Sequence, residues 1–202
     1  MALGNQNQNS QSTRKLLILK LRSKDEAGKA LVPNMFQVLE KNAADGKWVA
    51  RPELQPRVSG NLVRVELDEG EYQGTKYGVV KLYLEDAAAD ELYLLDMRYN
   101  HLSRNLFNSL ANLTSFNDLS ISNYSTKSKK DGKEYANISL WQGKNMVKGK
   151  TEFTALPQPM VIKHPKTDAV ISRDFTDVDA FFKPQLEELS IKVSASQTKI
   201  SE

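Results

Sequence analysis

A change of hydrophobic period in the middle of the chain restricts its fold more than any other feature. Apolar residues recur at three- and four-residue steps from Leu102 to Leu113, which predicts an amphipathic helix of about three turns. The runs on both sides alternate with a period of two, which is typical of strands. These runs are Val58–Leu67, Tyr77–Glu85, Glu91–Asp96, Leu119–Tyr124 and Tyr135–Trp141. The sequence therefore predicts three strands, one helix and two more strands.

This order of elements is that of the OB-fold, a five-stranded barrel with a helix between its third and fourth strands. Small α+β domains share the order, so it favours the OB-fold without requiring it. We predict a mainly β protein with an OB-fold-like barrel at residues 57–150. Within it, residues 68–75 and 125–134 are expected to be loops.

Segments of different character flank this region. Residues 1–13 are polar and rich in Asn, Gln and Ser, which predicts a disordered arm. Residues 14–56 contain alternating runs, including Leu17, Leu19 and Leu21 on one face, and are expected to form a strand extension packed on the barrel. Residues 151–202 are expected to form a C-terminal extension with a short acidic helix, interrupted by Pro184, and a flexible end.

The composition weighs against several functions. The chain has no cysteine and only two histidines, so thiol chemistry is excluded and metal or nucleophilic catalysis is disfavoured. It has no glycine-rich phosphate loop or dinucleotide motif. We expect no enzyme activity, no cofactor and no metal. No apolar run approaches the roughly 18 residues of a membrane span, and we expect a cytoplasmic protein.

Charge is distributed unevenly along the chain. Residues 1–125 are neutral, residues 126–166 carry nine lysines against three acidic residues, and residues 167–202 carry a net charge of −3. A basic block suits contact with an anionic polymer, whereas lysines that only solvate loops would give the same count.

The strands carry aromatic residues at outward positions. If the aliphatic residues of each strand face the core, six rings point outward, with Arg64 and Lys81 beside them. The rings are Tyr77, Tyr83, Tyr93, Tyr124, Tyr135 and Trp141. Bases of a single strand stack on such rings and cations neutralise its phosphates, with little dependence on sequence. About half of the rings are expected to pack under the extensions instead, since aromatic residues also favour strands; Tyr77, Tyr83 and Trp141 are the favoured stacking residues.

The two loops that flank an OB-fold groove differ here. The loop at 125–134 carries four lysines, which are candidate phosphate ligands unless they only solvate a hairpin tip. They are Lys127, Lys129, Lys130 and Lys133. The loop at 68–75 is acidic, and only Tyr72 and the neighbouring Lys76 there favour nucleic acid.

Several motifs resemble those of the OB-fold single-stranded DNA-binding proteins of bacteriophages. They are Glu71-Tyr72-Gln73-Gly74-x-x-Tyr77, Ser103-Arg104-Asn105-Leu106-x-Asn108-x-Leu110, Ile121-Ser122-x-Tyr124 and the run from Tyr135 to Gly143. The resemblance covers Gly60 to Trp141 and implies a phage replication or recombination protein that coats single strands without catalysis. Members of that group often recruit partners through an acidic C-terminal tail, whereas the acidic stretch here is internal, from Asp174 to Glu188.

Two functions follow from these observations. The first is sequence-tolerant binding of single-stranded DNA; a stacking groove serves RNA as well. Replication or recombination proteins would then be partners of the C-terminal extension, and self-association stays open. The second is a structural or assembly role in a virion or tail, with the outward aromatic residues in a protein interface.

Overall fold

The computed structural model describes residues 14–24, 28–72, 75–129 and 131–198, and the predicted arm at 1–13 lies outside this part. This part of the chain is mainly β, with two α-helices. The first strands are β1 (Lys15–Lys24), β2 (Ala30–Lys41), β3 (Trp48–Gln55), β4 (Arg57–Tyr72), β5 (Thr75–Asp86) and β6 (Glu91–Arg98). Then follow α1 (His101–Leu110), β7 (Leu119–Lys127), β8 (Glu134–Gln142), β9 (Asn145–Met146), β10 (Met160–Lys163), β11 (Val170–Asp174) and α2 (Thr176–Thr198). The predicted order of strands and helix between residues 57 and 142 is confirmed.

Strands β1 to β9 form a single large sheet in the order β3-β2-β1-β6-β5-β4-β7-β8-β9. All neighbours are antiparallel except β1 and β6, which run parallel from Lys15 opposite Glu91 to Leu19 opposite Leu95. Strands β10 and β11 pair only with each other, as a separate hairpin. Among the described strands, the pairing leaves the sheet open rather than closed into a barrel, because β1 occupies the place beside β6.

Strand β4 pairs with different neighbours along its length, and the sheet bends sharply there. Its first residues, Arg57 to Gly60, pair with β7, whereas residues from Asn61 onward pair with β5. Gly60 marks the corner, where a Cβ atom would lie 2.7 Å from the backbone oxygen of Glu85, too close for any other residue. The fold brings β2 face to face with β7 and β8 and encloses one apolar core between the two halves.

The N-terminal strands belong to this core. Leu17, Leu19, Phe36 and Val38 are at most 2% exposed and pack in the same cluster as residues of β4 to β8. The predicted inward face of β1 is therefore confirmed for Leu17 and Leu19, and Leu21 packs against the cluster.

Helix α2 is longer than the predicted short helix. It continues for 23 residues through Pro184, so the predicted interruption is wrong. Pro184 lies on the exposed side of the helix, and the neighbouring Gln185 side chain donates a 2.8 Å hydrogen bond to the Phe181 carbonyl. The expected frayed end is also wrong as far as Thr198, because Val193 is fully buried.

The two predicted loops are largely strand. Residues 68–72 continue β4 and pair with β5 from Tyr72 opposite Thr75 to Asp68 opposite Val79. The lysine-rich loop is confined to residues 128–133, because β7 extends to Lys127, which pairs with Glu134. Backbone pairing thus continues past the point where apolar alternation ends. None of the described helices combines the length and apolarity needed to cross a membrane.

Candidate nucleic-acid interface

The outward side chains of β4, β5 and β6, here called the β4–β6 face, hold several of the predicted binding residues. The predicted inward set Val80, Leu82 and Leu84 is at most 1% exposed. Tyr83 points to the opposite face as predicted, but it is only 7% exposed. A stacked base needs an accessible ring, so Tyr83 is not a free stacking surface.

Arg64 covers Tyr83. The guanidinium carbon lies 3.7 Å from the ring centroid, and the Tyr83 hydroxyl donates a 2.8 Å hydrogen bond to Glu66. Burial and this carboxylate raise the pKa of Tyr83. Arg64 Nε also lies 3.4 Å from Glu66. The guanidinium group therefore contacts both the Tyr83 ring and the carboxylate that accepts the Tyr83 hydrogen bond.

The other cations of this face are engaged too. Lys81 donates a 2.5 Å hydrogen bond to Asp68, which raises the pKa of the lysine and lowers that of the carboxyl group. Arg98 lies over Tyr77, with its guanidinium carbon 4.0 Å from the ring centroid. Three cations, Arg64, Lys81 and Arg98, share this face with four acidic residues, Glu66, Asp68, Glu85 and Asp96, so the face carries no excess of positive charge.

Tyr77 also borders a cleft of about 650 Å³ between β5 and α2. Acidic side chains dominate its ionisable lining, Asp68, Glu69, Asp179 and Glu187 against Lys183. Such a lining repels phosphate. The side chains of Tyr72 and Lys76 lie outside the described part of the chain, so their predicted roles remain predictions.

The prediction that Tyr93 points outward is wrong. Tyr93, Leu95 and Met97 face the core and are buried, while Leu92 and Leu94 take the outward positions. The Tyr93 hydroxyl donates a 2.6 Å hydrogen bond to Glu91, and burial raises the pKa of the phenol. The first half of β6 is apolar on both faces, with Leu92 and Leu94 on one and Tyr93 and Leu95 on the other. The parallel pairing with β1 places the Tyr93 face in the core.

The outward side chains of β7 and β8, here called the β7–β8 face, bring three predicted aromatic residues together. The inward set on these strands, Leu119, Ile121, Ile138 and Leu140, is at most 2% exposed, as predicted. On the opposite side, Tyr124 is 40% and Tyr135 is 50% exposed, and Trp141 is half-buried. The register alternates them across the two strands, with Tyr135 opposite Thr126, Tyr124 opposite Asn137 and Trp141 opposite Ser120.

Arg57 joins this face from β4 and was missed in the sequence. Its guanidinium carbon lies 5.7 Å from the Trp141 ring centroid, and Nε donates a 2.6 Å hydrogen bond to Ser122. Trp141 Nε1 in turn donates to Ser139 at 2.9 Å. The alternation of side chains along the strand could have identified it, because Arg57 precedes the inward-facing Val58 and therefore points outward.

The lysine loop extends the same two strands. Gly132 adopts a positive φ of 68°, and backbone hydrogen bonds join Ser128 to Lys133 and Gly132 to Ser128. The predicted ligands Lys127, Lys129 and Lys133 are all exposed, and Lys130 lies outside the described residues. Tyr135 donates a 2.7 Å hydrogen bond to Asp131, which lowers the pKa of that carboxyl group.

The two faces therefore differ in chemistry. The β4–β6 face carries no excess of positive charge and several of its charged groups are paired with one another. The β7–β8 face combines accessible rings, hydroxyl and amide groups and exposed lysines. This arrangement can stack bases and neutralise phosphates. Comparisons of the chain with protein-family models, with curated proteins and with solved structures find no match, so the assignment of a function depends on this geometry.

Proposed function

We propose that this chain is a sequence-tolerant single-stranded DNA-binding protein that coats strands during DNA replication or recombination, of the kind encoded by bacteriophages. It would act in the cytoplasm of the host cell. The observation that carries the proposal is the β7–β8 face, where Tyr124, Tyr135 and Trp141 lie in register beside an exposed lysine loop. The predicted element order supports an OB-like core of β4 to β8 with α1, in which β1 takes the position beside β6.

The test is tryptophan fluorescence during titration with poly-dT at low and then moderate salt, with duplex DNA as control. A Trp48→Phe variant leaves Trp141 as the reporter, because the chain has two tryptophans. We expect quenching by the single strand that salt reverses, since phosphate neutralisation releases counterions. No quenching at low salt, together with no mobility shift, would contradict the proposal.

Paired variants identify the binding face. Tyr124→Ala combined with Tyr135→Ala should weaken binding by about 1–3 kcal/mol for each lost stack. The matched control is Tyr77→Ala, which removes a tyrosine from the β4–β6 face and should leave the affinity unchanged. If Tyr77→Ala weakens binding and the double variant does not, the strand lies on the β4–β6 face instead.

A structural or assembly role is the second candidate, and the β10–β11 hairpin favours it. Five large apolar side chains of this hairpin are between 43% and 60% exposed, namely Met160, Val161, Ile162, Val170 and Ile171. Sedimentation velocity without nucleic acid separates the two functions. A large assembly that is insensitive to salt supports assembly, whereas a monomer or dimer that binds oligonucleotide supports the first proposal.

A further inference from the structure

A cleft of about 420 Å³ adjoins the β7–β8 face, between α1 and the chain that follows β9. This volume lies within the range of small-ligand sites. Tyr124 and Ser139 line it and also belong to the β7–β8 face, so the two surfaces are continuous. Phe153 supplies a second aromatic side chain and Asn105 an amide. Two cations, Lys148 and Lys150, outnumber the one carboxylate of the lining, Glu152.

The polar side of α1 fixes the lysine-bearing wall of this cleft. The side chain of Asn108 is buried, donates to the Thr151 carbonyl at 2.7 Å and accepts from the Thr151 N–H at 2.9 Å. Its backbone carbonyl accepts from the Lys150 N–H at 3.0 Å. Ser109 donates to the Val147 carbonyl at 3.0 Å. The backbone that presents Lys148 and Lys150 is therefore held in place before any ligand arrives.

Gly149 allows this close fit. A Cβ atom at this position would collide with the Asn108 side chain, so only glycine lets the backbone between the two lysines lie against α1. The lysine side chains themselves stay exposed. The segment thus combines a rigid backbone with two accessible cations.

A buried cation lies behind the cleft. Arg104 is 4% exposed, and its guanidinium carbon lies 5.2 Å from the Phe153 ring centroid. It donates to the Pro157 carbonyl at 2.9 Å, and its Nε has no hydrogen-bond partner among the described residues. Burial lowers the pKa of Arg104, and no carboxylate among the described side chains pairs with it. Its positive charge adds to that of Lys148 and Lys150 in the electrostatic potential of the cleft.

We propose that this cleft holds one nucleotide of the bound strand, with its base against Tyr124 and Phe153 and its phosphate at Lys148 and Lys150. Asn105 offers an amide to the edge of the base. The inference extends the proposed function, because the strand reaches the cleft by way of Tyr124 on the β7–β8 face. It makes Phe153, Lys148 and Lys150 binding residues that the strand face alone does not include.

The test uses the full chain and labelled poly-dT oligonucleotides, with affinity measured at several salt concentrations. One variant combines Lys148→Ser with Lys150→Ser. Its matched control combines Lys163→Ser with Lys166→Ser, which removes the same charge from the separate β10–β11 hairpin region. We expect the cleft variant to lower the slope of log affinity against log salt by about 0.7, the value for one single-strand phosphate contact, because both lysines hold the same phosphate. The control should keep the wild-type slope.

The variant Phe153→Ala tests the proposed stacking of the base on this ring. We expect it to weaken poly-dT binding by about 5- to 150-fold, the effect of losing one stacked base. Thermal unfolding of each variant verifies its folding, and Phe153 is 56% exposed, so little destabilisation is expected.

The outcomes separate this inference from the proposed function. If the wild-type chain does not bind poly-dT, both are wrong. If it binds, and the cleft variants match the wild type in affinity and salt slope, only the cleft assignment is overturned. A titration with dTMP distinguishes the source of the nucleotide. Saturable dTMP binding that depends on Lys148 and Lys150, with poly-dT binding unchanged in their absence, would assign the cleft to a free nucleotide and overturn the strand assignment.

Discussion

The carboxyl group of Asp179 makes the stability of this fold depend on pH. It lies on α2 at the acidic cleft, accepts a hydrogen bond from the Gly78 N–H, and its Oδ1 has no partner among the described residues. Burial raises the pKa of this group above its ordinary value. The folded protein therefore holds the proton more tightly than the unfolded chain, and ionisation of Asp179 opposes folding.

We expect Asp179→Asn to raise the melting temperature at neutral pH. In the wild type, the protonated Asp179 side chain contributes fully to the free energy of unfolding below the unfolded pKa of about 3.9. This contribution is lost as the pH rises through the raised pKa of the folded state. The difference between variant and wild type should thus shrink as the pH falls toward 4. Melting curves across this pH range check the prediction, and a variant that is less stable than the wild type at neutral pH would contradict it.

Individual side-chain orientations were predictable where only one face of a strand is aliphatic. Val80, Leu82 and Leu84 face the core as predicted, and so do Leu119 and Ile121. Tyr93 was not predictable in this way, because the first half of β6 is apolar on both faces and the pairing with a distant strand decides which face is buried. The burial of Tyr83 also depends on a side chain of another strand, Arg64.

At the level of elements, the packing stripe of α2 was present in the sequence. Val178, Phe182, Leu186, Leu189 and Val193 recur at three- and four-residue steps, and all are buried. The sequence nevertheless predicted an interrupted helix, because a proline inside a helix normally ends that helix. Here Pro184 lies outside the stripe, so packing of the apolar side against β4 stabilises the helix on both sides of it.

The end of α2 provides a direct comparison. Val193→Ala should lower the free energy of unfolding by about 1.5–3 kcal/mol, because its side chain is fully buried. Ile191→Ala, two residues earlier and 70% exposed, should change it by less than about 0.5 kcal/mol. Urea denaturation measures both. Equal small effects would mean that this end of the helix does not pack as described.

Strands β1, β2 and β4 to β8 and both α-helices contribute to one core, and this has a consequence for the division of the chain into domains. Strand β1 pairs with β6, and Phe36 of β2 packs with residues of the central strands. A fragment of residues 57–202 would therefore expose apolar surface along β6 and inside the fold. We expect it to show no cooperative unfolding transition, whereas a chain lacking only residues 1–13 should unfold like the full chain.

Denaturant titrations of the two fragments check this expectation. A cooperative transition of fragment 57–202 at the midpoint of the full chain would show that the core is complete without β1 to β3. The sequence predicted the order of elements in this region but not the pairing of β1 with β6. Local alternation carries no information about which distant strand becomes a neighbour.

The parallel pairing of β1 and β6 also sets an order in time. During synthesis Lys15 leaves the ribosome long before Glu91, its partner in the sheet. Strands β1 and β2 can pair as a hairpin at once. Their apolar side chains become fully buried only after the central strands and finally α2 have been synthesised. Contacts over such sequence separations slow folding and leave strand edges open meanwhile. The nascent chain is therefore most prone to aggregate before its C-terminal helix emerges.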